Sequence, residues 1–377
     1  MDIVYSHWLA LNYWRRASAR GSLGSLWGLS PVVPDDTQSQ ALPRRRSSLA
    51  VRPPSSAVID RLDALGLWLD SPSDLLVARR QDRRSLRDVR CHVCTTSLPA
   101  KCLHPIVHRG RPVPGAFACS PELAFVQVAP GLELPELVLL GLELCGSYRR
   151  IHGDGENETA FKCPPVTSRA RLERFVAKAG GMRGRDNALR ALRWIRDGSA
   201  SPAESVLATL FTLPWRYGGA NLGTFSLNST LRLDASAAML FGRDEITPDI
   251  LFDDPRYPVE YDSKKFHSTV EQAEFDERRR NAYASLGMGC TVIRPRHMNA
   301  DHKIDAVTEA IRRNLNRRVQ RLPESYDEAH ENLLAMLLRP WRGGAGSPWD
   351  EGRGYGEREG RGHVGHEGFD ACDPGTW

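Results

Sequence analysis

Residues 247–294, TPDILFDDPRYPVEYDSKKFHSTVEQAEFDERRRNAYASLGMGCTVIR, constrain the chain more than any other segment. Two apolar-rich runs, ITPDILF and YPVEYDSKKF, flank a DDPR turn and predict an antiparallel hairpin. They carry Asp249, Glu260, Asp262 and Lys264, with His267 just beyond. Carboxylates on otherwise apolar strands are costly to hold there, and are expected where they bind a metal or move protons. Side chains at i, i+2 and i+4 share one face of a strand. Glu260, Asp262 and Lys264 have that spacing, Val259 and Tyr261 turn the other way toward the core, and Asp249 can lie beside Glu260 across the hairpin.

The flanking sequence predicts a sheet covered by helices. Upstream, SPAESVLATLFTL opens with Ser201 as N-cap, Pro202 at the first helical position and Glu204 at the third, a capping box, and Pro214 ends it. Downstream, Ser268 and Glu271 form a second capping box, and the helix runs to Gly287 at its C′ position. GCTVIRP follows as a buried strand. Asp301 caps the last helix, DHKIDAVTEAIRRNLNRRVQ, with Ile304, Val307, Ile311 and Leu315 on one face.

Two adjacent carboxylates repel unless a cation sits between them. Hard oxygen ligands of this kind suit Mg²⁺ or Mn²⁺, and a metal so held supports phosphodiester hydrolysis. Asp249 and Glu260 are the expected ligands, with Glu204 either a third ligand or only the acid of its capping box. Lys264 or His267 would activate water or hold phosphate. Asp276 and Arg279 stand i, i+3 on the helix and read as a pair with each other. The formal charge of +5 comes mainly from arginine clusters, among them Arg278-Arg279-Arg280 and Arg312-Arg313. Arg278, Arg280, Arg312 and Arg313 are candidate DNA-backbone contacts, or a solvated arginine-rich surface.

In this pattern the chain resembles the PD-(D/E)xK nuclease superfamily, and within it the branch of very-short-patch-repair endonucleases and related endonuclease domains. The likeness covers about residues 200 to 320. It rests on Asp249, on Glu260-Tyr261-Asp262-Ser263, on His267, on Asp276-x-x-Arg279 ahead of Leu286-Gly287, and on Val292-Ile293. Glu204 matches an acidic helix residue of that fold. Ser263 stands where the branch carries glycine, and Asp262 where the wider superfamily carries lysine, a place Lys264 could fill from the same face. The resemblance implies an α/β chain with a restriction-endonuclease-like C-terminal domain, a mixed sheet flanked by helices, behind a small α/β domain. It implies a Mg²⁺- or Mn²⁺-dependent DNA endonuclease with Asp249, Glu260, Asp262, Lys264 and His267 as catalytic residues, acting in repair or phage defence. The alternative is a non-catalytic, antitoxin-like DNA-binding regulator on the same fold.

The rest of the chain is less informative. Residues 1–56, rich in Ser, Pro, Gly and Arg, read as weakly structured. Residues 57–150 read as a small α/β domain of unknown role, and SPELAFVQVA followed by LVLLGLELCGSY bears a likeness to an abortive-infection antitoxin-type domain that would engage a protein partner. Residues 151–199 read as a helical connector broken at Gly180-Gly181, 200–322 as the nuclease-like domain, and the glycine- and charge-rich residues 341–377 as a disordered tail. Of eight cysteines, Cys91, Cys94 and Cys102 with His104 suggest either a zinc site or, preferably, buried thiols. With no run of eighteen apolar residues and no basic start ahead of a long apolar one, no membrane contact and a cytoplasmic location are expected.

Overall fold

In chain order the elements begin with β1 (Ile3–Tyr5), α1 (His7–Ala19), α2 (Ser56–Ala64), β2 (Ser73–Val77), β3 (Val89–Val93), β4 (Leu103–His108), β5 (Arg111–Cys119), α3 (Pro121–Val128) and α4 (Leu134–Leu144). Next come β6 (Tyr148–His152), β7 (Asn157–Phe161), α5 (Arg169–Lys178), α6 (Arg185–Ala191), α7 (Pro202–Thr212), β8 (Phe225–Leu227), β9 (Leu231–Arg232), α8 (Ala235–Phe241) and β10 (Glu245–Ile246). The chain continues with β11 (Ile250–Asp253), β12 (Arg256–Tyr261), α9 (Val270–Ser285), β13 (Thr291–Ile293), α10 (Pro295–Met298), α11 (Asp301–Asn314) and α12 (Tyr326–Leu337). This is a mixed α/β protein. The computed structural model describes residues 3–23, 56–67, 72–83, 88–94, 96, 98–99, 101–152, 157–263, 270–318 and 322–338. Among them, no helix is long and apolar enough to cross a membrane.

The chain forms two compact units, the first including Met1–Leu134 and Arg149–Leu192, the second Pro135–Tyr148 and Arg193–Pro348. The first is built on a five-stranded sheet in the order β3-β2-β1-β5-β4. Its central strand is β1, parallel to β5 and antiparallel to β2. Residues 3–23 are therefore core rather than a weakly structured leader. Tyr5, Leu9, Leu11 and Trp14 are all fully buried, and the Trp14 indole N–H donates to the Cys119 carbonyl at 2.8 Å. Averaged over residues 1–56, the Ser, Pro and Gly content hides this apolar start. Residues 24–55 lie outside the described residues, as do the tail and the second capping box at Ser268.

Residues 151–199 are also more than a helical connector. β6 and β7 pair as a two-stranded sheet, and α5 and α6 are bound into the first unit. Arg171 pairs with the buried Glu122 of α3 at 3.0 Å, and Asn187 donates to the Ala129 carbonyl at 3.1 Å. Ala188 and Leu192 are buried, while Leu189 is exposed. Cys94 and Cys102 are buried thiols whose ionisation burial opposes, that of Cys94 being pushed up to about 11.

The second unit carries a four-stranded sheet, order β13-β12-β11-β8. β11 pairs antiparallel with both β8 and β12, while β12 and β13 are parallel and joined through α9. The expected hairpin is β11–β12, turning at Asp254-Pro255, and the expected buried strand is β13, of which only Ile293 is fully buried. α9 ends as its sequence predicts. Gly287 takes a left-handed φ of +69°, Met288 N–H returns to the Tyr283 carbonyl, and Gly287 N–H to that of Ala284, the paired bonds of a Schellman stop. α8 packs on α9 through Ala237, Phe241, Ala282 and Tyr283. α4 joins this unit: Gly141 lies so close to the buried Ile195 that a Cβ there would stand 2.2 Å from its Cδ1. α11 is not the last helix, since α12 follows it, tied back where His330 meets the Gly218 carbonyl at 2.6 Å and Asp305 at 3.0 Å. The N-cap of α11 is Ala300, with Asp301 in its first turn.

Candidate active site

The register of the hairpin sets the site. Ile250 faces Val259, so one step further Asp249 comes opposite Glu260, and the Tyr261 N–H donates to Asp249 Oδ2 at 2.6 Å. Glu260 lies near the C-terminal end of β12, an inner strand of the sheet, paired with Val292 on its other side, and is buried. Helical periodicity then brings α9 onto it. Arg279 and Tyr283, four residues apart on one face, both reach Glu260 Oε1, the Arg279 guanidinium at 2.7 Å and the Tyr283 hydroxyl at 2.7 Å. The same guanidinium donates to the Thr247 carbonyl at the entry to β11.

These groups line a cavity of about 240 Å³ bounded by Asp249, Glu260, Asp262, Asp276, Arg279, Arg280, Tyr283, Cys290 and Arg294, among others. Of the residues expected in the site, Asp249, Glu260 and Asp262 are thus brought together. Asp262 is held by Arg294, whose Nε stands 3.2 Å from Oδ2. Lys264 and His267 lie outside the described residues. Glu204 is not among the described residues that line the cavity. It is fixed as the cap of α7: Oε1 accepts the Ser201 hydroxyl at 2.8 Å, and Oε2 accepts Ala200 N–H at 2.8 Å and the Asn228 amide at 2.6 Å. Asn228, in a left-handed conformation, also donates its own N–H to the Asp249 carbonyl, joining the Glu204 carboxylate to the start of β11.

Two corrections follow for the basic residues, at Arg279 and Arg312. Arg279 pairs with Glu260 across the fold, where its spacing had suggested Asp276. Arg312 is buried and donates to the Ala220 carbonyl at 2.8 Å, with Glu309 3.3 Å from its Nε, so it serves the packing of α11 instead of a phosphate. Arg278 lies over the Phe275 ring at 5.9 Å, on the α8 side of its helix. Arg280 lines the cavity and Arg313 is largely exposed. The roles of Arg279, Tyr283, Asn228 and Arg294 were missed from sequence. The Asp276-x-x-Arg279 pattern and the i, i+4 spacing of Arg279 and Tyr283 behind a carboxylate-bearing hairpin pointed to the first two.

Burial dominates the electrostatics. It pushes Glu260 up to about 7: the Arg279 charge acts against this, while the Asp249 carboxylate adds to it. Burial likewise raises Glu204 to about 7, with bonds from Ala200, Ser201 and Asn228 opposing and the Asp249 charge contributing. Asp249 is raised by burial against the Tyr261 N–H and Arg279. Burial disfavours the Arg279 charge, but Glu260, Tyr283 and Asp249 together outweigh it and hold the guanidinium above its ordinary value. Cys290 is pushed to about 12 by burial and by the Glu260 carboxylate, so its thiol is a poor nucleophile.

Among the described residues no group of three or more His, Cys, Asp or Glu side chains is arranged to hold a metal ion. The Asp249–Glu260 pair is nevertheless a donor set of the kind Mg²⁺ uses, since that ion commonly takes one or two carboxylates and completes its shell with water and phosphate oxygens. One guanidinium facing buried, mutually repelling carboxylates also leaves a deficit of positive charge that a divalent cation would fill. No protein-family model, curated protein or solved structure matches this chain.

Proposed function

We propose that this chain is a divalent-metal-dependent endonuclease that hydrolyses DNA phosphodiester bonds, with a restriction-endonuclease-like second unit of the PD-(D/E)xK kind. The observation that carries the proposal is the Asp249–Glu260 pair, set face to face by the β11–β12 register at the wall of a cavity that also presents Arg279, Arg280 and Arg294. Asp249 and Glu260 would hold Mg²⁺ or Mn²⁺. Bound there, the ion supplies Lewis-acid polarisation of a phosphoryl oxygen and a water of lowered pKa. The protein does the rest. The Tyr261 N–H fixes the Asp249 carboxylate and the Tyr283 hydroxyl fixes that of Glu260. Arg280 and Arg294 offer planar, charge-assisted donors to phosphate. Lys264 and His267, following directly on Asp262 and Ser263, are the proposed groups to orient water and take its proton. Glu204 serves as the capping-box acid that holds α7 and, through Asn228, the entry to β11.

The Glu260–Arg279 ion pair favours a second reading, in which the fold binds DNA as a regulator and the carboxylate is permanently neutralised. Hydrolysis of bis(p-nitrophenyl) phosphate and of supercoiled DNA, in Mg²⁺ and in Mn²⁺, separates the two. The endonuclease predicts metal-dependent turnover of both that falls by about 100-fold or more in Glu260→Gln and in Asp249→Asn. Metal-independent DNA binding with no turnover supports the regulator.

A further inference from the structure

Arg279 is the feature of the cavity that a simple two-carboxylate centre does not explain. Its guanidinium sits on the oxygen of Glu260 that already accepts from Tyr283. It is incompletely satisfied there: the guanidinium meets Glu260, Tyr283 and the Thr247 carbonyl, but its buried Nε has no hydrogen-bond partner among the described residues. Native structures rarely leave such an N–H unmatched. The two partners also differ in their surroundings. Glu260 is anchored on an inner strand, paired on both sides, with a side chain 9 % exposed, whereas the Arg279 side chain, rooted on α9, is 24 % exposed and lines the cavity with Arg280 and Arg294. Releasing the guanidinium therefore disturbs no strand pairing, and it leaves behind two carboxylates already fixed by Tyr261 and Tyr283.

We propose that Arg279 is a displaceable place-holder cation: it neutralises Glu260 in the metal-free protein, yields that carboxylate to a divalent cation, and turns its guanidinium into the cavity toward phosphate. This rests on the Asp249–Glu260 pair being a metal centre. It makes metal affinity in the native chain the outcome of a competition, with Arg279 keeping the buried carboxylates from standing uncompensated when no ion is bound.

The test is direct Mn²⁺ titration of the full chain, followed by the electron paramagnetic resonance signal of free Mn²⁺, for native protein, Arg279→Gln, Glu260→Gln and the double variant. Removal of the competitor should tighten Mn²⁺ binding by about tenfold or more in Arg279→Gln, and the gain should vanish in the double variant. Mn²⁺ should also raise the melting temperature of Arg279→Gln more than that of native protein, because the ion replaces the lost charge. Should Arg279→Gln be unfolded without metal, Mn²⁺ is expected to restore its fold, and failure to do so overturns the proposal. Native binding that Glu260→Gln abolishes but Arg279→Gln leaves equal or weaker overturns the place-holder while the metal centre stands. Absence of Mn²⁺ binding in native protein and Arg279→Gln alike removes the metal centre, and the place-holder with it.

Discussion

Asp249 and Glu260 were legible in the sequence because strand alternation and a short turn fix register, and register alone decides that the two carboxylates meet. Their partners were not. Asn228 reads as one of several loop asparagines, yet it supplies the amide that satisfies Glu204 Oε2. Asn228→Ala leaves that buried oxygen one donor short, and we expect a loss of about 1–3 kcal/mol, measured by urea denaturation. An unchanged midpoint would show the amide bond to be dispensable. Glu204 itself read equally as cap and as ligand, because Ser-x-x-Glu signals a cap whatever else the acid does. Glutamine at the third helical position keeps the cap. Glu204→Gln should therefore retain its melting temperature and its cleavage rate within about tenfold, and a loss of cleavage on the scale of Glu260→Gln would place the carboxylate in the chemistry after all.

At the scale of elements, local signals served well wherever they were self-contained. The cap at Ser201, the hairpin and the glycine stop of α9 all follow from a few neighbouring residues. At Gly287 nothing lies within 4 Å of a built Cβ, so the cost of Gly287→Ala is purely that of the left-handed φ. It should be about 1 kcal/mol, read as a lowered denaturant midpoint with unchanged slope. β1 and α1 were lost because their role is tertiary. Three residues of strand carry little periodicity, and only the sheet order reveals that β1 sits between β2 and β5. Deleting residues 1–23 removes that central strand together with Trp14. Near-ultraviolet circular dichroism should then show loss of fixed tertiary structure in the first unit, and a native-like spectrum would contradict its central place.

For the whole molecule, the two units should answer pH in opposite directions. In the first, burial lowers His104 from 6.5 to about 4, and His7 is also depressed by burial and by His92. Their contribution is full above the unfolded value of 6.5 and is lost as pH falls toward 4. In the second, Glu204 and Glu260 are raised from 4.5 to about 7 by burial, and His330 is raised because its bonds to Asp305 and Gly218 outweigh burial. Groups raised in this way contribute most at low pH and lose that contribution as pH rises through their folded values. Scanning calorimetry between pH 5 and about 7.5 should therefore show the first unit destabilised and the second stabilised on acidification, and two transitions moving together would contradict this assignment. The charge balance that contributes to this response, buried carboxylates facing one guanidinium, is also what supports the proposed metal centre. The most direct measurement is nicking of supercoiled DNA in Mg²⁺ or Mn²⁺, run beside gel retardation of the same samples, for the native chain and Glu260→Gln. Hydrolysis at this site predicts that native protein nicks only with metal, while the variant retards DNA without cutting it. Retardation by both proteins with no nicking in either metal would contradict catalysis and leave a DNA-binding regulator.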